Sequence, residues 1–256
     1  MSTANTPQEK PSTISQNMGW IAIAIAICIA AYFISNAYRY KFKSTETIRV
    51  NGSAQTDFTS DLIVWNGSYS RNAMDIKEAY TLLKSDEDHI KKYLTNKGIS
   101  AKEIVFSAVK IDKLFNQRYD AEGRVVGSDF TGFSLSQNVK IESTDIPKIE
   151  QLSREVTQLI ESGIELKSSE PLYFYTKIAD LKLDLLAKAS EDAKKRAEII
   201  AKNTGGSISG INKANMGIFQ ITGKNSDEDY SYGGAFNTSS KNKTASITVS
   251  LECNVK

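Results

Sequence analysis

Few side chains in this sequence have a type and spacing that could support catalysis. His89 is the only histidine, and it lies among charged residues on a predicted helix, which is typical of a solvated surface position. A histidine-based triad would have a single possible base, and no G-x-S-x-G motif accompanies it. No set of histidine, cysteine and aspartate residues has the spacing of zinc ligands. We therefore predict a non-enzymatic protein with no cofactor and no metal. An enzyme that gathers carboxylates from distant positions is the alternative.

Residues 225–243 form a long connection between two predicted strands, and such loops are often functional or disordered. The acidic residues 227–229 could hold calcium, but the segment lacks the spaced carboxylates and the distal glutamate of an EF-hand. We interpret the segment as a mobile, solvated loop. Its aromatic residues are candidate contacts for a neighbouring subunit: Tyr230, Tyr232 and Phe236.

The two cysteines are not expected to form a disulfide with each other, because Cys28 lies in an apolar run and Cys253 lies in a distant strand-like segment. In that segment, 245–255, apolar and polar residues alternate as in a half-buried strand. We therefore expect Cys253 to be a small buried residue and not a reactive thiol.

Charge is unevenly distributed along the chain. Four basic residues and one acidic residue precede Ser44, which leaves 28 basic and 29 acidic residues in 44–256. The part of the chain that folds as a domain is therefore close to neutral. It lacks the basic excess that nucleic-acid binding requires, so no nucleic-acid partner is expected.

An apolar run of about 17 residues begins at Met18, at the short end of the length that a membrane-spanning helix needs. Aromatic residues lie toward both of its ends, as they do at membrane interfaces. We predict a polar tail at 1–17, a transmembrane anchor at 18–37 and a basic juxtamembrane linker at 38–45. The predicted anchor residues are Trp20, Ile21, Ile23, Ile25, Ile27, Ile29 and Phe33.

Other interpretations of the apolar run remain. The triplet Ser35-Asn36-Ala37 could be cut by a signal peptidase, although the run is longer than the usual signal-peptide core, which favours an uncleaved anchor. A buried core helix is less consistent with a run that is apolar on all sides. The basic cluster YRYKFK follows the run, and the positive-inside rule would place the next domain in the cytosol.

Residues 46–256 show the periods of strands and helices. From residue 61, the order begins strand, helix, strand, strand, helix, strand, the split arrangement in which two helices cover one face of an antiparallel sheet. We predict an α+β fold, with antiparallel sheet or sheets, helices packed on one face and one N-terminal transmembrane helix. Strands are predicted at 47–55, 61–70, 102–117, 133–142, 164–178, 207–221 and 245–255, and helices at 74–96, 144–163 and 180–203.

The helix at 180–203 contains alanines at steps of three or four, which share one face of a helix. Alanine at these positions lets the backbone approach a neighbouring element closely. Acidic residues stand four positions before basic ones, as Asp192 does before Arg196, so the basic charges already have partners. We interpret the helix as a packing helix and not as a polyanion-binding one. Its predicted packing residues are Leu186, Ala189, Ala193, Ala197 and Ile200.

This helix and its neighbours resemble the SIMPL domain family. The opening segment IRVNGSAQTDFTSDL, the pair Gly98-Ile99 and the closing loop and strand also resemble the family, and the resemblance covers 46–256. The family's A-x-x-D-A-x-x-[KR]-A helix is matched by Ala189, Asp192, Ala193, Arg196 and Ala197, followed by Gly205 and Gly206.

The resemblance implies a bacterial, envelope-associated protein. Some family members are linked to oxidative stress and some form ring-like or channel-like oligomers, whereas no catalytic constellation is established, so no active site carries over. We expect a single-pass inner-membrane protein with its C-terminal domain in the periplasm, acting as a homo-oligomer or through an unknown protein partner. A membrane-anchored cytosolic scaffold is the main alternative.

Overall fold

The structure is a computed structural model that describes residues 13–41 and 46–256. The α+β class is confirmed, with antiparallel sheets. In chain order the elements are α1 (Thr13–Lys41), β1 (Thr47–Thr59), β2 (Leu62–Ala73), α2 (Ile76–Asn96), β3 (Ile104–Phe106), β4 (Lys110–Tyr119), β5 (Val125–Ser143), α3 (Ile146–Glu155), a 3-10 segment (Val156–Ser162), β6 (Lys167–Ser168), β7 (Leu172–Phe174), α4 (Ile178–Asn203), β8 (Ile208–Met216), β9 (Gln220–Gly223) and β10 (Asn242–Val255).

The strands form two antiparallel sheets. Sheet A has the order β1-β10-β8, and β9 pairs with the first part of β10. Sheet B has the order β3-β5-β2-β6, with β4 also pairing with β5 and β7 with β2. The predicted strands at 47–55 and 61–70 are both present and longer than predicted, but they do not form a hairpin. The chain passes from sheet A to sheet B at Ser60 and Asp61, whose amides donate to the carbonyls of Lys241 and Phe174.

Sheet A packs against α4. The alternation predicted for 245–255 is confirmed, because one face of β10 supplies a row of buried side chains beneath the helix. Cys253 is one of them and is 1% exposed. The buried residues of β10 are Ala245, Ile247, Val249, Leu251 and Cys253.

Sheet B packs against α2 and α3, around the fully buried Trp65. The N-cap of α2 is Asp75, whose carboxylate accepts from the amides of Lys77 and Glu78, a common helix start. Leu82 is 41% exposed and lies outside the buried face of α2. Asp86 lies on that face instead, because its carboxylate accepts two hydrogen bonds from the Arg71 guanidinium, at 2.5 and 2.9 Å.

Several predicted elements are divided in the structure. The segment 102–117 contains two strands, β3 and β4, and 164–178 contains only the short strands β6 and β7. The segment 207–221 contains β8 and β9, which are interrupted at Gly217, where the amide donates to the Thr248 carbonyl. The helix predicted at 144–163 is α-helical only to Glu155 and then continues as a 3-10 segment.

Candidate interaction surfaces

Helix α4 packs closely onto sheet A through its alanines. Ala189, Ala193 and Ala197 are each fully buried. The two ends of the predicted set of packing residues differ from the structure. Leu186 is only half-buried and Ile200 is 42% exposed, whereas Leu185 and Ala201 are buried. The buried residues therefore stand at a strict step of four from Leu185 to Ala201, and their row winds around the helix because four residues exceed one turn of 3.6 residues.

The charged face of α4 contains ion pairs of its own. Asp192 accepts a hydrogen bond from the Arg196 side chain at 2.8 Å and another from the Ser53 amide at 2.9 Å. The Ser53 amide is the largest cause of the lowered pKa of Asp192. Lys188 also pairs with Asp184, at 2.7 Å. These contacts support the interpretation of α4 as a packing helix.

The residues considered for chemistry lie far apart in the fold. His89 is exposed on α2, and its Nδ1 lies 2.8 Å from the Ser85 carbonyl oxygen. Burial raises the pKa of the Cys253 thiol, which disfavours the reactive thiolate. Over residues 13–41 and 46–256, as far as their side chains are described, no group of three or more His, Cys, Asp and Glu residues could hold a metal ion.

The long connection between β9 and β10 is braced by side-chain hydrogen bonds. The Gln220 amide group accepts from the amides of Ser231 and Ala235 and donates to the Ser231 carbonyl at 2.8 Å. The Glu228 carboxylate accepts from the Gly223 amide at 2.9 Å and from the Asn237 side chain. The Gly223 amide is also the largest cause of the lowered pKa of Glu228. Glu228, considered as a possible calcium ligand, therefore holds its own loop together.

Lys243 fastens this loop to sheet B from within the protein. Its side chain is 2% exposed, and its Nζ donates to the carbonyls of Tyr173 at 2.6 Å and Asn237 at 2.7 Å. Burial lowers the pKa of the ammonium group to about 8. No local pattern indicates this role, because Lys243 stands in a KNK run typical of exposed loops.

Three aromatic side chains project from the braced loop into solvent. Tyr230, Tyr232 and Phe236 are 67%, 100% and 58% exposed. Tyr230 and Tyr232 border a concavity of about 550 Å³ that Ile218 and Ile247 also line. We call the three aromatic side chains and Ile218 the aromatic loop surface.

A second apolar surface lies on the hairpin of β4 and β5, where the sequence predicted strands but no interaction surface. Residues 125–132 of β5 pair with β4, whereas β2 pairs with β5 only from Phe133 onward. The hairpin therefore extends beyond the rest of sheet B as a two-stranded ribbon from Leu114 to Gly132. Together with the first residues of β4, which still lie in the three-stranded part of the sheet, we call it the β4–β5 arm (residues 110–132). Its exposed apolar side chains are Ile111, Phe115, Tyr119, Val125, Val126 and Phe130, each at least 40% exposed.

Aromatic contacts order the face of the β4–β5 arm. The rings of Phe115 and Phe130 lie 5.7 Å apart and those of Phe130 and Phe133 lie 5.2 Å apart, both edge to face. Such contacts are favourable for aromatic pairs. The spacing of four between Ile111, Phe115 and Tyr119, which puts them on one face of β4, was the sequence signal that could have identified this face.

The predicted anchor lies within α1. Its described large apolar side chains, including Trp20, Ile23, Ile25, Ile27, Ile29 and Phe33, are 52–70% exposed. No helix in the part of the chain that the structure describes combines the length and the hydropathy that crossing a membrane requires. The side chain of Ile21 lies outside the described residues, as do the whole of 1–12 in the predicted tail and 42–45 in the predicted linker.

Comparison with protein families identifies the domain. The model of the SIMPL family, described as a protein of unknown function (DUF541), matches residues 48–256. The chain therefore belongs to the SIMPL family, as the helix motif and the opening strand predicted. Comparison with curated proteins finds none that matches.

Proposed function

We propose that this chain is a non-enzymatic protein of the bacterial cell envelope that acts through self-association of its SIMPL domain. In this proposal, residues 18–37 anchor it in the inner membrane and the domain lies in the periplasm. A role in envelope stress tolerance is consistent with the family resemblance. The domain then serves as an assembly unit, held at the membrane surface.

The observation that carries this proposal is the β4–β5 arm. A two-stranded ribbon is marginally stable in water, and three or more strands or a packed face are needed for stability. Five large apolar side chains are exposed on the two-stranded part of the arm: Phe115, Tyr119, Val125, Val126 and Phe130. Contact with another chain would remove this apolar surface from water, which is favourable.

The mass of the full-length chain in mild detergent tests self-association. We expect a defined species containing at least two chains of 28.2 kDa, as measured by light scattering with the detergent contribution subtracted. Chemical crosslinking in intact membranes should give the same number of subunits. A monomer at every protein concentration, in both experiments, would exclude the proposal.

The side of the membrane is tested separately, with a reporter that is active only outside the cytoplasm fused after Lys256. Activity in intact cells supports the periplasmic location. Expression and membrane insertion without activity would instead favour a membrane-anchored cytosolic scaffold, the second candidate. That candidate is favoured by Arg39 and Lys41 after the apolar run, because positive charge is retained on the cytoplasmic side.

A further inference from the structure

The outer edge of β4 is an unpaired strand edge. The strand pairs with β5 along one side from Lys110 to Tyr119, and no other strand of the described chain pairs with it. The ladder contains two register shifts, but both extra residues, Thr131 and Val126, belong to β5. β4 itself is therefore uninterrupted, and its outward backbone groups can form hydrogen bonds with a further strand.

The side chains of β4 restrict which strand can be added. Ile111, Phe115 and Tyr119 lie on one face and are 53%, 54% and 60% exposed. In an antiparallel pair, directly opposed residues share a face. A partner that continues the apolar face must therefore present apolar residues at the same spacing of four, as a second copy of β4 does.

We propose that two copies of this chain pair antiparallel through their β4 edges, around a two-fold axis at Phe115. This inference rests on the proposed self-association and names its contact. In this register the two Phe115 residues oppose each other, and Ile111 opposes Tyr119 of the second copy. The two arms then form one four-stranded sheet with a continuous apolar face.

The charges of β4 select this register. Asp112 opposes Arg118 of the second copy. Lys110 opposes Asp120, the turn residue just after β4, whose Oδ1 accepts from the amides of Glu122 and Arg124. The two-fold axis therefore gives four pairs of opposite charge, of which the two between Asp112 and Arg118 lie within the strands. If the pairing shifts by one residue, the apolar side chains of the two copies lie on opposite faces of the four-stranded sheet. If the pairing shifts by two residues in one direction, Lys110 lies opposite Arg118 of the second copy. A shift of two residues in the other direction places Asp112 opposite Asp120. Like charges opposed across strands are destabilising.

Arg118 and Asp112 already have neighbours of opposite charge within one chain. Arg118 lies 3.1 Å from Asp129 and Asp112 lies 2.9 Å from Lys110, all with side chains at least half exposed. Exposed pairs of this kind contribute little to stability. Both side chains can therefore share a second partner across the proposed interface.

A cysteine at the axis tests the register in intact membranes. In a full-length Cys28→Ser background, we expect Phe115→Cys to form a disulfide-linked dimer under mild oxidation, because opposed Cα atoms lie about 4.5–5.5 Å apart, within the range of disulfides. Leu114→Cys is the matched control. Its two copies would be offset by two residues, about 7 Å along the strands, so little dimer is expected.

Charge reversal tests the same contact without a crosslink. Asp112→Arg and Arg118→Asp should each weaken the dimer about tenfold, because two attractive pairs become repulsive. The double variant restores opposite charges and should return the affinity to near that of the wild type. This recovery separates loss of the contact from misfolding.

The outcomes also separate this inference from the proposed function. A wild-type oligomer that lacks the Phe115→Cys crosslink, or that crosslinks equally through Leu114→Cys, overturns the register but leaves self-association intact. Single charge variants that weaken the dimer without recovery in the double variant also overturn it. A monomeric wild type overturns both.

Discussion

Gly52 of β1 lies directly against the backbone of Ala193 in α4. A Cβ atom added to Gly52 would come within 2.3 Å of the Ala193 nitrogen and 2.4 Å of the Ala189 carbonyl oxygen. Backbone atoms cannot move aside as a side-chain end can. The short side chains of α4 and the glycine of β1 thus act together to set the distance between the helix and sheet A.

Substitution of Gly52 by alanine should therefore destabilise the domain. The added methyl group must push α4 away from β1, and we expect the free energy of unfolding to fall by about 2–4 kcal/mol. Urea unfolding followed by circular dichroism measures the change. Gly210→Ala is the matched control, because no atom lies within 4 Å of its added Cβ, and it should change stability by less than about 1 kcal/mol. Equal effects of the two substitutions would contradict this account.

The buried carboxylate of α2 gives a second prediction. Asp86 is 6% exposed and holds the Arg71 guanidinium, which also donates to the Gly163 carbonyl at 2.8 Å. Asp86→Ala leaves this guanidinium without its carboxylate, and we expect a loss of about 2–3 kcal/mol in unfolding free energy. The exposed pair of Lys140 and Glu142 supplies the control, since Glu142→Ala should change stability by less than about 1 kcal/mol. If Asp86→Ala is as mild as the control, the ion pair does not stabilise the fold.

Periodicity predicted the parts of the fold in which one face is buried and the other is wet. The alternation in β10 and the alanine steps of α4 are such cases, because each follows one element and one buried face. The division of the strands between sheets A and B is not a local property. It depends on the junction at Ser60 and Asp61, where the contacts come from residues more than 100 positions away, such as Thr176.

The interaction surfaces also include one that local sequence features predicted and one that depends on non-local contacts. Tyr230, Tyr232 and Phe236 were candidate contacts because they stand in a long connection between strands, and all three are exposed. The β4–β5 arm was missed because apolar residues in a predicted strand are expected to be covered by neighbouring elements. Their exposure depends on where β2 stops, at Ala73, because β5 has β4 as its one neighbouring strand beyond that point.

Lys243 should make stability depend on pH above neutrality. Its pKa is lowered from 10.5 to about 8 in the folded chain by burial. Between these values the unfolded chain holds a proton that the folded chain has released, so the free energy of unfolding rises with pH across this window. Relative to Lys243→Met, the wild type should gain roughly 2–4 kcal/mol from below pH 8 to above pH 10.5. Urea titrations of both proteins across this range measure the difference, and parallel pH profiles would show that Lys243 is not held as described.

The order of the aromatic loop surface should depend on Gln220. This side chain is 8% exposed. It accepts from the amides of Ser231 and Ala235, so Gln220→Ala leaves these two amides without their acceptor, while the Ser231 carbonyl keeps the Gly234 amide as a donor. We expect hydrogen exchange at the Ser231 and Ala235 amides to accelerate by at least about tenfold, since each lost bond contributes about 1 kcal/mol.

Exchange at the Val249 amide in the core of sheet A should stay close to that of the wild type, which separates local opening of the loop from global destabilisation. Gln55→Ala, at an exposed position of β1, is the matched substitution and should leave the loop amides protected. Unchanged exchange at Ser231 and Ala235 in Gln220→Ala would mean that Glu228, Asn237 and Lys243 hold the loop without it. Acceleration confined to those amides would show that Gln220 holds the part of the loop that carries Tyr230 and Tyr232, because both flank Ser231 in the chain.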